Sequence, residues 1–350
     1  MTEPPPDAGP SNRRRPARAG ATEGPGARSA LLRRRCVLAL KVAGVAYVVA
    51  LAGLTWLQSY VLYPGRYFQG TKASRVTPPP GGTAVSLTTP SGDTVRGIYL
   101  SAPAQTSIRR PPATVLFLYG NAMNVAMAVP ALECANSLGC AVLCIDYPGY
   151  GQSSGRPSEK GCYEAAEAAY TYLTGARGVE PERLIVVGWS LGGAVAIDLA
   201  SKHRVGGLAA LCTFSSMSAM AHRRLPMFPT GLMLRERFDS AGKMPNVRCP
   251  VLLGFGAEDR TVPAEEGNLL AAAAGGPVTR LLVPGYAHND FLAPGNRALW
   301  RALGELVEKT QNSSDPSGDG PRRLGAPRQV ETSHGAGGAW RREGIPRGRL

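Results

Sequence analysis

The chain has 350 residues, 44% of them hydrophobic, enough for one large α/β domain or two small ones. Its formal charge of +14 is concentrated at the ends: residues 1–35 hold eight arginines against three acids, and residues 311–350 hold seven against four. The remainder is mildly basic and lacks basic-aromatic stripes or a recognition-helix pattern, which excludes a nucleic-acid binder. Seven scattered cysteines, with no Cys-x-x-Cys pair and no histidine at ligand spacing, argue against structural zinc.

Residues 1–35 are rich in Pro, Gly, Ala and Arg, bury too little apolar surface to order themselves, and are expected to be disordered. After Arg33-Arg34-Arg35 an apolar run extends from Cys36 to Leu57 and ends among Trp56 and Tyr60, which matches the ~20 residues a hydrocarbon core requires. Lys41 lies one turn inside, where its stem can snorkel to the headgroups. The expected reading of residues 36–60 is a retained signal-anchor with the N-terminus cytoplasmic and the large C-terminal part on the non-cytoplasmic side. A cleaved signal peptide, with Ala50-Leu51-Ala52 as the small-x-small site, and a buried helix are the competing readings.

From about residue 61 to 310 the punctuation is that of one α/β domain. Ala84–Thr88 and Val95–Leu100 flank the turn Pro90-Ser91-Gly92-Asp93 and predict a hairpin. Compact apolar runs come next at Thr114–Leu118, Ala141–Ile145, Leu184–Val187, Leu208–Thr213, Val251–Phe255 and Arg280–Val283. Such unbroken runs belong to strands covered on both faces, so the eight strands predict a mostly parallel sheet. Helical patterns fall between them at Val129–Ser137, Tyr163–Thr174, Gly192–Lys202, Glu265–Ala274 and Asn296–Thr310. Residues 311–350 return to Gly, Pro, Ser and Arg and are expected to be a disordered tail.

Gly188-Trp189-Ser190-Leu191-Gly192 joins the strand-like Leu184–Val187 to a helical pattern. That is the setting a nucleophile elbow demands: the serine sits on a strained turn, and flanking glycines let strand and helix close around it. A serine hydroxyl needs a base and an orienting carboxylate. Four histidines are available, at 203, 222, 288 and 334, and only His288 follows a strand-like run within the domain. Glu258 and Asp259 both follow Val251–Phe255, at the strand end where active sites of open α/β sheets lie, and pattern alone leaves the choice between them open.

Gly256-Ala257-Glu258-Asp259-Arg260-Thr261-Val262-Pro263 resembles the Gly-x-x-Asp-x-x-Val-Pro loop of α/β-hydrolases, which implies Asp259 as the acid. Tyr119-Gly120-Asn121-Ala122 resembles the His-Gly-Asn-Ala of the small-cap, N-terminally anchored branch that includes depalmitoylating thioesterases and lysophospholipid lipases, with Tyr119 replacing the histidine. Asp146-Tyr147-Pro148-Gly149-Tyr150-Gly151-Gln152-Ser153-Ser154-Gly155 resembles the same branch's Asp-Tyr-x-Gly-x-Gly-x-Ser-x-Gly loop. The resemblance spans about Tyr60 to Thr310, with the motifs in order. It implies an α/β-hydrolase fold, a Ser190, Asp259, His288 triad, and an oxyanion hole from the backbone N–H groups of Leu191 and Asn121.

The stretch between Thr213 and Arg248 is where this fold inserts a cap, here small, about 215–247. Tyr119, Met123 and Trp189 are the expected substrate contacts, and Met-rich surroundings suit an acyl chain. The expected activity is cleavage of a small-molecule carboxylic ester or thioester with no cofactor and no metal. Two alternatives stand beside it: a small-peptide serine peptidase of the same fold, and a membrane-tethered binding scaffold without activity.

Overall fold

The computed structural model describes residues 25–104 and 112–313. The chain divides into two compact units, Met1–Leu54 and Thr55–Leu350. Helix α1, Pro25–Leu62, supplies the described part of the first unit and continues into the second. Its stretch Leu32–Leu62 is long and apolar enough to cross a membrane. The helix begins eleven residues ahead of the expected disorder boundary at Arg35, and this corrects that expectation for residues 25–35. Ala, Leu and Arg are good helix formers, the nucleation cost is already met by the adjoining apolar helix, and Pro25 suits a first helical position. The disorder expected for residues 1–24 lies outside the described residues.

The second unit is built on one eight-stranded sheet in the order β1-β2-β4-β3-β5-β6-β7-β8. β1 (Gly82–Thr88) and β2 (Thr94–Leu100) form the antiparallel hairpin, and β2 is also antiparallel to β4 (Ala141–Ile145). β3 (Thr114–Leu118), β5 (Leu184–Trp189), β6 (Gly207–Leu211), β7 (Val251–Gly256) and β8 (Val278–Val283) continue it in parallel. Every residue of β3 to β7 is buried, so both sheet faces are covered. That coverage is why these strands read as unbroken apolar runs. At the hairpin turn Gly92 takes φ 88°, a left-handed value that glycine adopts without strain.

The helices cover the sheet: α2 (Val125–Asn136) packs on β4, α4 (Leu191–Lys202) on β5 and β6, and α9 (Arg297–Ser313) on β6, β7 and β8. α3 (Glu159–Thr171) packs against α4, and α8 (Glu265–Ala273) against β7. α9 reaches three residues past the expected tail boundary, and the rest of the expected tail, residues 314–350, lies outside the described residues. The insertion between β6 and β7 carries three short helices, α5 (Met217–Arg224), α6 (Thr230–Met233) and α7 (Ser240–Lys243). All seven cysteines are free thiols.

Parallel register brings the ends of β3, β5, β7 and β8 to one edge of the sheet, and the close crossing at β5 and α4 fixes that edge. A Cβ on Gly192 would lie 2.0 Å from the Leu118 carbonyl oxygen, and one on Gly188 would lie 2.2 Å from the Gly192 carbonyl oxygen. Gly192→Ala is therefore expected to lower unfolding free energy by about 1–3 kcal/mol through forced backbone movement. Gly175→Ala, whose Cβ would meet nothing within 4 Å, is the comparison and is expected to stay within about 0.5 kcal/mol of the parent in urea titration.

Candidate active site

Ser190 sits between β5 and α4 with φ 55° and ψ −120°, a conformation rare for a residue with a Cβ. Hydrogen bonds hold its backbone there, one of them from the Gly193 N–H to its carbonyl at 3.0 Å. Its N–H donates to the Leu211 carbonyl at 2.8 Å, and its carbonyl accepts from Thr213 Oγ1 at 2.8 Å. The turn leaves the hydroxyl facing the end of β8.

His288 arrives from the loop after β8. Its Nε2 lies 3.0 Å from Ser190 Oγ and its Nδ1 lies 2.6 Å from Asp259 Oδ2. Asp259 follows β7, and its other oxygen, Oδ1, accepts the N–H groups of Thr261 and Val262, each at 2.8 Å. This leaves Oδ2 aimed at the imidazole. The hydrogen-bond pattern assigns the proton to Nδ1, so that Nε2 is the acceptor for the serine hydroxyl. All three residues are buried.

The rival groups lie elsewhere. Glu258 is exposed, and Asp290 accepts the Ala287 N–H and so shapes the His288 loop. His203 meets Glu167 at 2.7 Å and stacks on Tyr170. His222 is exposed on α5, and His334 lies outside the described residues.

Leu191 is the first residue of α4, so its N–H is one of those a helix start leaves without an intrahelical acceptor. The loop after β3 comes against it: a Cβ on Gly120 would lie 3.1 Å from Ser190 Cβ and 2.7 Å from the Trp189 ring. Asn121 is next in the chain and is tightly held. Its side-chain amide donates to the Leu62 carbonyl at 2.9 Å, and its carbonyl accepts from Tyr150 Oη at 2.8 Å and from the Gly65 N–H at 3.0 Å.

Tyr119 is not a substrate contact, which corrects the sequence expectation. It is fully buried, and its hydroxyl donates to Asp146 Oδ1 at 2.8 Å while accepting the Tyr147 N–H at 3.2 Å. A strand-end motif gives a residue's place but not the side its chain takes, and here the phenol turns inward toward a buried carboxylate. Asp146 also accepts the N–H of Val125 at 2.8 Å and that of Gln152 at 3.2 Å. It thereby ties together the end of β3, the start of α2 and the loop after β4. Burial raises the Asp146 carboxyl above its ordinary value, and the Val125, Tyr119 and Gln152 donors oppose the rise. A carboxyl raised in the folded state stabilises most below its unfolded value, and that contribution is lost as pH rises through the folded value. Ionising it in the folded state is thus a cost that the donors reduce.

Trp189 is largely buried with its ring 5.0 Å from the His288 ring, so it backs the imidazole and offers little open surface. Its indole nitrogen is buried without a hydrogen-bond partner and neighbours the Cys212 sulfur, a weak acceptor. Met123 is half-buried and packs on the core beside the Asn121 loop. Cys212 is buried and reaches the site: ligand atoms of Cys212, Asp259 and His288 all lie within 4.8 Å of one another. Burial, joined by the Asp259 charge, pushes the Cys212 thiol well up. Its φ of 45° marks the same crowded crossing as Ser190.

The sequence profile of the α/β hydrolase fold matches residues 113–242. An uncharacterised protein of Mycobacterium tuberculosis is 32% identical over 281 residues, covering 79% of this chain and 97% of that one. Human α/β-hydrolase domain-containing protein 17B is 32% identical over 178 residues, 51% of this chain and 60% of its own. Among solved structures, an α/β-hydrolase of Vibrio vulnificus matches with a TM-score of 0.57 at 22% identity, covering 73% of this chain and 93% of that chain. A Pyrococcus furiosus esterase matches with a TM-score of 0.55 at 18% identity, covering 66% and 91%. The chain belongs to the α/β-hydrolase family, and its general class is that of a hydrolase.

Tyr119→Phe tests the role of the phenol. It removes a donor from a buried carboxylate and an acceptor from the Tyr147 N–H, and is expected to cost about 1–3 kcal/mol of stability, read as a lower urea midpoint with unchanged slope.

Proposed function

We propose that the protein is a serine hydrolase that cleaves carboxylic ester or thioester bonds of acyl substrates through an acyl-enzyme on Ser190. The observation that carries this reading is the unbroken chain from Ser190 Oγ to His288 Nε2 at 3.0 Å and from His288 Nδ1 to Asp259 Oδ2 at 2.6 Å.

In this mechanism His288 Nε2 takes the hydroxyl proton as Oγ attacks the substrate carbonyl carbon, and Asp259 stabilises the imidazolium that forms. The developing oxyanion is received by the N–H of Leu191 and that of Asn121, at the positive end of α4. Collapse of the tetrahedral intermediate breaks the bond to the leaving alkoxide or thiolate, which takes the proton from His288. Water then attacks the acyl-serine with the same imidazole as base, which regenerates the hydroxyl. The protein's own groups suffice for each step, so the proposal includes no cofactor.

An acyl substrate is favoured by the surroundings. The region between β6 and β7 exposes Leu225, Met227 and Leu232, Met127 is exposed on α2, and the described residues include one helix apolar and long enough to span a membrane. We read residues 36–60 as an anchor that keeps the hydrolase at a bilayer, with the N-terminus on the arginine-rich cytoplasmic side. The esterase among the structural neighbours agrees with ester chemistry.

A fluorophosphonate probe is expected to label the full-length protein and not Ser190→Ala. Asp259→Asn is expected to lower kcat on short acyl esters by roughly 10⁴-fold with little change in KM, because the imidazole loses its orienting acceptor. A panel of p-nitrophenyl esters, acyl-thioesters and aminoacyl amides reads the bond preference. Absence of labelling in the parent, or faster turnover of the amides than of the esters, overturns the proposal.

A further inference from the structure

The last turns of α1 are bonded to the cap and to the loop beside Ser190. Gln58 is buried, and its Oε1 accepts the Arg235 N–H at 2.9 Å while its Nε2 reaches the Met233 carbonyl at 3.5 Å. Tyr63 Oη donates to Glu236 Oε2 at 2.9 Å. These bonds fix the level of the cap along the helix. Trp56, 73% exposed, and Tyr60, with Arg66 stacked 4.4 Å above its ring, form the aromatic and basic belt found at headgroup depth. Gln58 lies between these two aromatics in the helix, so what it binds shares their depth.

The cap segment held there presents a surface of uncommon composition. Leu232 is 87% exposed and Met227 is 74% exposed, and they stand with Leu225 on a stretch, Met217 to Arg235, that contains no acidic residue. His222, Arg223 and Arg235 on the same stretch are exposed. Exposed apolar side chains on a segment that also exposes Arg223 and Arg235, held level with an aromatic belt, match a membrane interface. We propose that the cap, through Leu225, Met227 and Leu232, docks on the lipid surface of the bilayer that receives α1. The inference rests on the reading of α1 as a membrane anchor and does not require hydrolysis.

The test uses the full-length protein in vesicles of phosphatidylcholine. Leu232→p-benzoylphenylalanine places a photo-crosslinker in the cap; the same replacement at Leu269, an exposed apolar position on α8, is the reference. Lipid adducts are expected at 232 and not at 269. Met227→p-benzoylphenylalanine serves as the second position should the first variant unfold. Flotation of the protein with the vesicles is measured in parallel. Failure to float overturns the anchor and the docking together. Flotation with no excess of lipid adducts at 232 or 227 over 269, or with adducts joining two copies of the chain, overturns the docking alone and leaves the hydrolase reading untouched.

Discussion

The arrangement around Ser190 depends on one steric constraint, the near-contact of backbone between β5 and α4. With no side chain at Gly188 or Gly192, the helix start presses onto the end of β3, and the residue at the crest is forced to a positive φ. That strain is sustained by the surrounding packing, because both strands beside β5 are fully buried and in register with it. The same crossing sets the first N–H groups of α4 beside the hydroxyl. Reactivity and oxyanion stabilisation are thus proposed to arise from a single backbone feature.

Asp146 performs for the neighbouring loop what the glycines perform for the elbow. One buried carboxylate gathers donors from the end of β3, the start of α2 and the loop after β4. Where the related branch has histidine after β3, this chain has Tyr119, and its phenol meets that carboxylate. The difference therefore falls behind the proposed oxyanion hole, and the backbone of Asn121 keeps its place through bonds to Leu62, Gly65 and Tyr150.

Much of this was legible in the chain because it is local. Strands covered on both faces read as apolar runs, and the Thr114–Leu118 and Ala141–Ile145 runs coincide with β3 and β4. Ser190, Asp259 and His288 each follow a strand, so their strand-end positions were readable, although 98 residues separate the serine from the histidine. The features that stayed hidden depend on contacts across the fold. The inward turn of Tyr119, the approach of Cys212 to Asp259, and the grip of Gln58 on a segment 177 residues away have no periodicity or motif to announce them. The start of α1 at Pro25 was missed for another reason: composition judged the arginine-rich leader by its lack of apolar surface, while the helix it runs into carries the cost of ordering.

The carbonyl of Leu62 and the amide of Gln58 have a practical meaning for anyone shortening this protein. Asn121 and the Arg235 N–H each lose a partner if the chain is cut at Tyr63, and the loop beside the reactive hydroxyl is then left to find its own conformation. A shortened version that keeps the native site has to begin ahead of Gln58, and so retains Tyr60 as an exposed aromatic that calls for detergent or for a polar replacement.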